Sequence, residues 1–326
     1  MNLPLRARAF GALLGRSPAF TIVGKTASEI PALRSRLALP TRGSATLFTG
    51  RIPGSVVVDW IEADLPGRRL AVRRYRPLRR ATGSRPVLVD FHGGAFVFGN
   101  AAIKDWFNGE LAARLGVVVV SVNYRLAPEK PFPAAYEDAV DATNWAAKTA
   151  QEWGGDPARI VVVGDSAGGN LAAGAALASG VPLAAQVLLY PVLDLLGQYP
   201  SAVENAHAIM LTAEETQAFP PHYVGDHDRS DPRISPMFAP DHRGLPSAVI
   251  IAAEHDPIRD QSVAYAAVLR AAGVPVRQTT YPGAAHGFLS VPGLYPAAIH
   301  ALTEVADALR QLLSHEAGGE GEGNAR

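Results

Sequence analysis

The sequence predicts an α/β fold, a mostly parallel sheet with helices on both faces. Three observations point to it. Short apolar runs rich in Val, Ile and Leu recur without the alternation of a half-exposed strand. Helical stretches fall between them. A length of 326 residues, 48% hydrophobic and 18% charged, is enough to cover such a sheet on both sides.

In chain order, "DWIEADLPGRRLAVRRYRP" (59–77) reads as an antiparallel hairpin turning at Pro66-Gly67. Buried strands follow at 86–91, 117–124, 159–164, 186–191 and 248–253, with a less buried one at 276–283. Helices are expected at 103–115, 134–153, 167–179, 259–272 and 296–314. Such alternation requires crossovers, and crossovers make neighbouring strands parallel. Two regions break the pattern: residues 1 to about 55, and about 195–240, where "MLTAEETQAFPPHYVG" offers one short helix amid Pro-rich loop. The chain therefore divides into an N-terminal cap segment (1–55), a first core part (56–194), a cap insertion (195–240), a second core part (241–315) and a polar, Gly-rich, disordered tail (316–326).

Composition removes several classes of chemistry. There is no cysteine, so disulfides, thiol nucleophiles and thiolate metal sites are excluded. No N-x-[ST] sequon occurs, and together these features fit a cytoplasmic protein. Residues 171–185 come nearest to a membrane span, but Ser179, Gly180 and Pro182 interrupt them. Residues 1–85 carry 16 Lys+Arg against 4 Asp+Glu, a net +12, while 86–326 carry 14 against 26, a net −12. The plain reading is a basic segment packed on an acidic body; the sharper one is weak contact of that segment with anionic lipid or an acidic partner. The first 28 residues contain Arg6, Arg8, Arg16 and Lys25 and no acid, which loosely fits a transit peptide, but we read them as a mature N-terminal helix. His222, Asp226, His227 and Asp228 crowd one loop, yet their spacing fits no metal geometry, and a solvated cap loop is the better reading.

The chemistry concentrates in "VVVGDSAGGN" (161–170). Residues 164–168, G-D-S-A-G, stand where a strand should end and a helix begin, the setting of a nucleophile elbow. Ser166 would project from a strained turn, with Gly164 and Gly168 leaving it room and the helix N-terminus facing a developing oxyanion. The bland alternative is a strand-to-helix turn. Serine needs a base, and the base an orienting acid. Asp256 lies just past one C-terminal strand and His286 just past the next. Asp256 could instead cap the helix near Ile258, and His286 could be an ordinary loop histidine. Glu254 and Asp260 are rival acids. "DFHGGAFVFGN" (90–100) offers an oxyanion loop, with Gly93 and Gly94 donating alongside the amide of Ala167; a plain Gly-Gly turn is the alternative. Phe96, Phe98 and Tyr190, with Trp106 and Phe107, are candidate pocket walls that could equally be core.

Five stretches, "HGGAF" (92–96), "NYRLAPEKPFPAAYEDA" (123–139), "GDSAGGNLA" (164–172), "DPIRD" (256–260) and "HGF" (286–288), make residues 85–313 resemble the hormone-sensitive-lipase-like esterases. The resemblance implies an α/β-hydrolase fold, a mostly parallel eight-stranded sheet flanked by helices, under a helical cap made from the N-terminus and a late insertion. It implies a carboxylic-ester hydrolase acting on short- to medium-chain small-molecule esters, the triad Ser166, Asp256 and His286, and neither cofactor nor metal. Family members often form dimers, and a homodimer is left open. Nucleic acid is not an implied partner. Ala95 replaces the third glycine of the family loop. Arg125 and Glu129 read as charges that hold the fold. Lactone, amide or acetyl-ester hydrolysis by the same triad is the alternative; a receptor-like binding protein on this fold is the more distant one.

Overall fold

The apolar runs become strands because β-branched side chains suit a pleated surface covered on both sides. A computed structural model describes residues 3–14, 21–37, 43–81 and 83–315. Eight strands form one sheet: β1 (Val56–Leu65), β2 (Arg68–Pro77), β3 (Arg85–Phe91), β4 (Val118–Val122), β5 (Gly155–Asp165), β6 (Ala185–Leu189), β7 (Ala248–His255) and β8 (Val276–Ala285), in the order β1-β2-β4-β3-β5-β6-β7-β8. Leu65 pairs with Arg68, so Pro66-Gly67 is the two-residue turn of the hairpin. β1 and β2 are antiparallel, β2 joins β4 antiparallel, and the other pairs are parallel. The fold expectations therefore hold.

Successive side chains of one strand serve opposite faces. Ile160 and Val162 join one core, and Val161 and Val163 the other. The first core is covered by α5 (Ala134–Thr149), α6 (Ala167–Ala178) and α10 (Arg259–Ala271). Fully buried Ala135, Ala139, Ala142 and Ala146 make a helical stripe on α5, small enough for close packing. The second core is covered by α4 (Asp105–Leu115) and α11 (Ala297–His315).

Before the sheet lie α1 (Leu5–Leu14), α2 (Ile30–Leu37) and the single turn α3 (Thr46–Thr49). Arg34 fastens α2: Nε donates to Val97 O at 2.7 Å, Nη2 to Ala127 O at 2.7 Å, and both terminal nitrogens reach Glu129 at 2.8 Å. Arg125 donates to Asp138, so both charges of that segment serve packing.

Region 195–240 departs from expectation. It carries three short helices, α7 (Pro200–Glu204), α8 (Ala213–Ala218) and α9 (Pro220–Tyr223), where one was expected. Elements of four to six residues show no periodicity; their signals are local, Pro at the first position of α7 and α9 and a Thr212–Glu215 capping box on α8. Thr21 Oγ1 donates to Glu215 Oε1 at 3.3 Å, joining the N-terminal segment to this insertion. The tail 316–326 lies outside the described residues.

Candidate active site

The strand order reverses around β3. From β3 the chain moves to β4 on one side, then to β5 on the other, so the loops after β3 and β5 part and leave a crevice at the carboxyl ends of the strands. The loop after β3 is His92-Gly93-Gly94-Ala95-Phe96, and the turn after β5 carries Ser166.

Ser166 has φ 55° and ψ −119°, a conformation non-glycine residues rarely hold, costing on the order of 1–3 kcal/mol. Surrounding contacts impose it. Ser166 N donates to Leu189 O at 2.9 Å, and its carbonyl accepts from Val192 N at 3.1 Å. A Cβ on Gly164 would strike Gly168 O, and one on Gly168 would strike Phe91 O, so the elbow closes only on glycine at both positions.

β7 and β8 deliver the other two groups. His286 Nε2 lies 2.8 Å from Ser166 Oγ, and His286 Nδ1 lies 2.7 Å from Asp256 Oδ2. The carboxylate selects the tautomer in which Nδ1–H donates to it, leaving Nε2 to accept from the hydroxyl. Asp256 is wholly buried, while Ser166 and His286 keep 8% of their surface exposed, enough to meet a substrate. Asp256 does not cap α10, whose N-cap Ile258 has no side-chain cap; its Oδ1 accepts from Ile258 N at 2.9 Å, closing the turn just ahead of that helix. The rival acids are engaged elsewhere: Glu254 accepts from Gly283 N and Asp260 from Ser201 N.

The oxyanion loop needs a correction. Gly93 N–H donates to Asp165 Oδ1 at 2.8 Å, so this amide is taken and cannot serve a substrate. The next two amides, Gly94 and Ala95, and that of Ala167 have no protein acceptor among the described residues. The amides left free to meet a ligand therefore lie one residue along from the expected pair. Gly94 has φ 125°, and a Cβ there would collide with Phe98 O; Ala95 and Phe96 follow at φ 53° and 64°. Behind the loop, His92 is sealed from solvent, its Nδ1 2.8 Å from Gly93 O. Burial lowers its pKa from 6.5 to about 4, although Gly93 O and the nearby carboxylates pull the other way, so the ring is neutral at pH 7.

A cavity of roughly 770 Å³, counting its open mouth, begins at Ser166 and is walled by Phe96, Leu211, Phe219, Tyr223, Ile258 and Gln261. Of the expected walls, Phe96 is one. Phe98 instead meets Phe219 edge-on at 6.4 Å, and Phe219 forms the wall. Tyr190 is fully buried with its ring 5.1 Å from the His286 imidazole and is not among the residues lining the cavity. Phe107 lies in the core beneath α4, with Trp106 beside it. Phe96 stacks on Tyr223 at 3.8 Å, so the loop after β3 and the 195–240 insertion brace each other. The sequence offered no sign that Leu211, Phe219 and Tyr223 would line the cavity, because the short helices of 195–240 show no periodicity and their faces are set mainly by tertiary contacts such as Phe96 on Tyr223.

No group of three or more potential metal ligands occurs among the described residues, and no helix there is long and apolar enough to cross a membrane.

A family model described as alpha/beta hydrolase fold matches residues 88–290. Esterase LipI of Mycobacterium tuberculosis is 39% identical over 264 residues, covering 79% of this chain and 82% of its own. An ethyl acetate hydrolase of Pseudomonas putida is 39% identical over 254 residues, covering 76% and 80%. The solved hyperthermophilic esterase of Pyrobaculum calidifontis superposes with a TM-score of 0.84 at 33% identity, covering 96% of this chain and 99% of that one.

Proposed function

The chain belongs to the α/β-hydrolase family, in its hormone-sensitive-lipase-like esterase branch, and is a serine carboxylesterase; from this premise we propose that Ser166, His286 and Asp256 carry the reaction. What supports the assignment is the continuous hydrogen-bond path from Asp256 through His286 to the Ser166 hydroxyl.

In the first half-reaction Ser166 Oγ attacks the ester carbonyl as its proton passes to His286 Nε2. Asp256 stabilises the imidazolium and holds the ring in plane. The carbonyl oxygen, now anionic, is received by the amides of Gly94, Ala95 and Ala167 at the N-terminus of α6. When the C–O bond breaks, the alcohol leaves with the proton from His286, and the acyl group stays on Ser166. Water then attacks the acyl-enzyme, giving its proton to His286, and Ser166 recovers a proton as the acid departs.

The substrate class we propose is esters of short to medium acyl chains. Two polar groups of the wall are already engaged within the protein: Asp194 accepts from Leu196 N, Gly197 N and Tyr199 Oη, and Gln261 Oε1 accepts from Leu193 N and Asp194 N. A substrate therefore meets mostly carbon. The relative named for ethyl acetate supports the short end of the range. The cap is assigned to residues 1–55 and 195–240; the second of these supplies Leu211, Phe219 and Tyr223 to the cavity wall, and the first reaches it indirectly through the Thr21–Glu215 bond.

Turnover of p-nitrophenyl esters from acetate to laurate tests both parts. The expected optimum is butyrate or hexanoate, and Ser166→Ala should lower kcat by about 10³-fold or more with folding intact. A Ser166→Ala enzyme that still hydrolyses butyrate at the parent rate sinks the assignment.

A further inference from the structure

Behind the oxyanion loop lies a charge cluster that the reaction as written does not use. Lys104, at the start of α4, reaches Asp90 Oδ1 at 2.6 Å and Asp165 Oδ1 at 2.8 Å, and neither its side chain nor that of Asp90 has exposed surface. Asp90, near the end of β3, also accepts from Ser121 Oγ at 2.7 Å and Asn108 Nδ2 at 2.8 Å. Asp165 directly precedes the nucleophile, and the oxygen that meets Lys104 is the same Oδ1 that accepts from Gly93 N–H.

The geometry points to Lys104 as a positioning residue for the oxyanion hole: its ammonium fixes the Asp165 carboxylate, which captures the Gly93 amide and so turns the Gly94 and Ala95 amides toward the space before Ser166. This rests on the catalytic assignment above. Three lines support it. Buried ion clusters are costly, and apolar residues of similar volume commonly fill such space as stably, so packing alone does not account for one cation between two carboxylates. Burial would drive the ammonium toward its neutral form, but Asp165 and Asp90 outweigh it and raise its pKa, keeping the charge in place. The Gly93 amide is the covalent neighbour of the free amides, so a carboxylate that turns by an ångström carries them with it. Without Lys104, Asp90 and Asp165 would face each other as like charges in a shared site, and the Asp165 oxygen would lose its fixed orientation.

The test uses the full chain with Lys104→Met, and with Lys104→Met combined with Asp90→Asn, which removes the like-charge conflict and favours folding. Each is assayed beside the parent enzyme and Ser166→Ala on p-nitrophenyl butyrate, and for affinity toward a trifluoromethyl ketone that forms a tetrahedral adduct. The expected result is a folded double variant with kcat down roughly 10- to 100-fold, less than the loss of a whole oxyanion donor, and KM within about twofold. Ketone affinity should fall by the same factor, because donors aimed at the oxyanion act on tetrahedral species and not on ground-state binding. Lys104→Arg, which keeps the charge, should recover part of kcat. Parent-like kcat in the folded double variant overturns the inference, as does a rise in KM without loss of kcat. Failure of both variants to fold also overturns it, since Lys104 would then be holding the core together. A parent enzyme without activity, or an active Ser166→Ala, would instead strike the catalytic assignment.

Discussion

At the scale of single residues, the motif G-D-S-A-G singled out Ser166 because a strand–turn–helix junction of this kind needs glycine two positions either side of the serine, and chain order singled out Asp256 and His286, which the fold brings into hydrogen-bond reach of it. The captured Gly93 amide was not legible, because it depends on Asp165, 72 positions away in sequence, arriving under the loop. That Tyr190 does not line the cavity was not legible for a related reason: aromaticity says that a ring is buried, not whether it borders the cavity or the core. His92 yields a prediction at this scale. Its folded-state pKa is about 4 against 6.5 for a free histidine, so as pH falls below 6.5 the unfolded chain takes up a proton that the folded one refuses. Stability is therefore full above 6.5 and drains away toward pH 4, by about 3 kcal/mol from this group. Denaturant titrations at a series of pH values should show that slope in the parent, and a shallower one in His92→Asn; equal slopes would assign the acid sensitivity to other groups.

At the scale of elements, strands and core helices could be read directly, since long periodic or continuous apolar segments declare themselves. The short helices of 195–240 could not, being too short to repeat a pattern and stabilised mainly by contacts such as Phe96 on Tyr223. α2 is held in a different way, by the fork of Arg34 on two carbonyls and Glu129. Because Val97 is next to the cavity wall Phe96, loosening α2 should loosen the wall. Arg34→Met is expected to lower kcat/KM for p-nitrophenyl butyrate about 3- to 10-fold, with about 1–3 kcal/mol lost from stability, the range for charged hydrogen bonds in a partly exposed site. Arg34→Lys should restore little, because an ammonium cannot span the same acceptors. Steady-state kinetics with a thermal melt would check it, and full rescue by lysine would show that charge alone suffices.

For the molecule as a whole, the uneven charge read from the sequence becomes a set of contacts across it. Arg34–Glu129, Arg68–Asp138, Arg68–Asp141 and Arg73–Asp105 each join the basic first 85 residues to the acidic remainder. Sodium chloride should screen the exposed members and leave the buried Arg73–Asp105 pair largely unaffected, lowering Tm by a few degrees between about 0.05 and 1 M. A Tm that holds or rises with this salt would mean the two halves are joined by packing and not by charge. The same joining has a consequence for how the molecule is made. Phe48 O, close to the beginning, accepts from Gly293 N, and Gly11 sits against Ile209. On the ribosome Phe48 must therefore wait for Gly293, which emerges only after all eight strands have been made, so this contact closes late in synthesis.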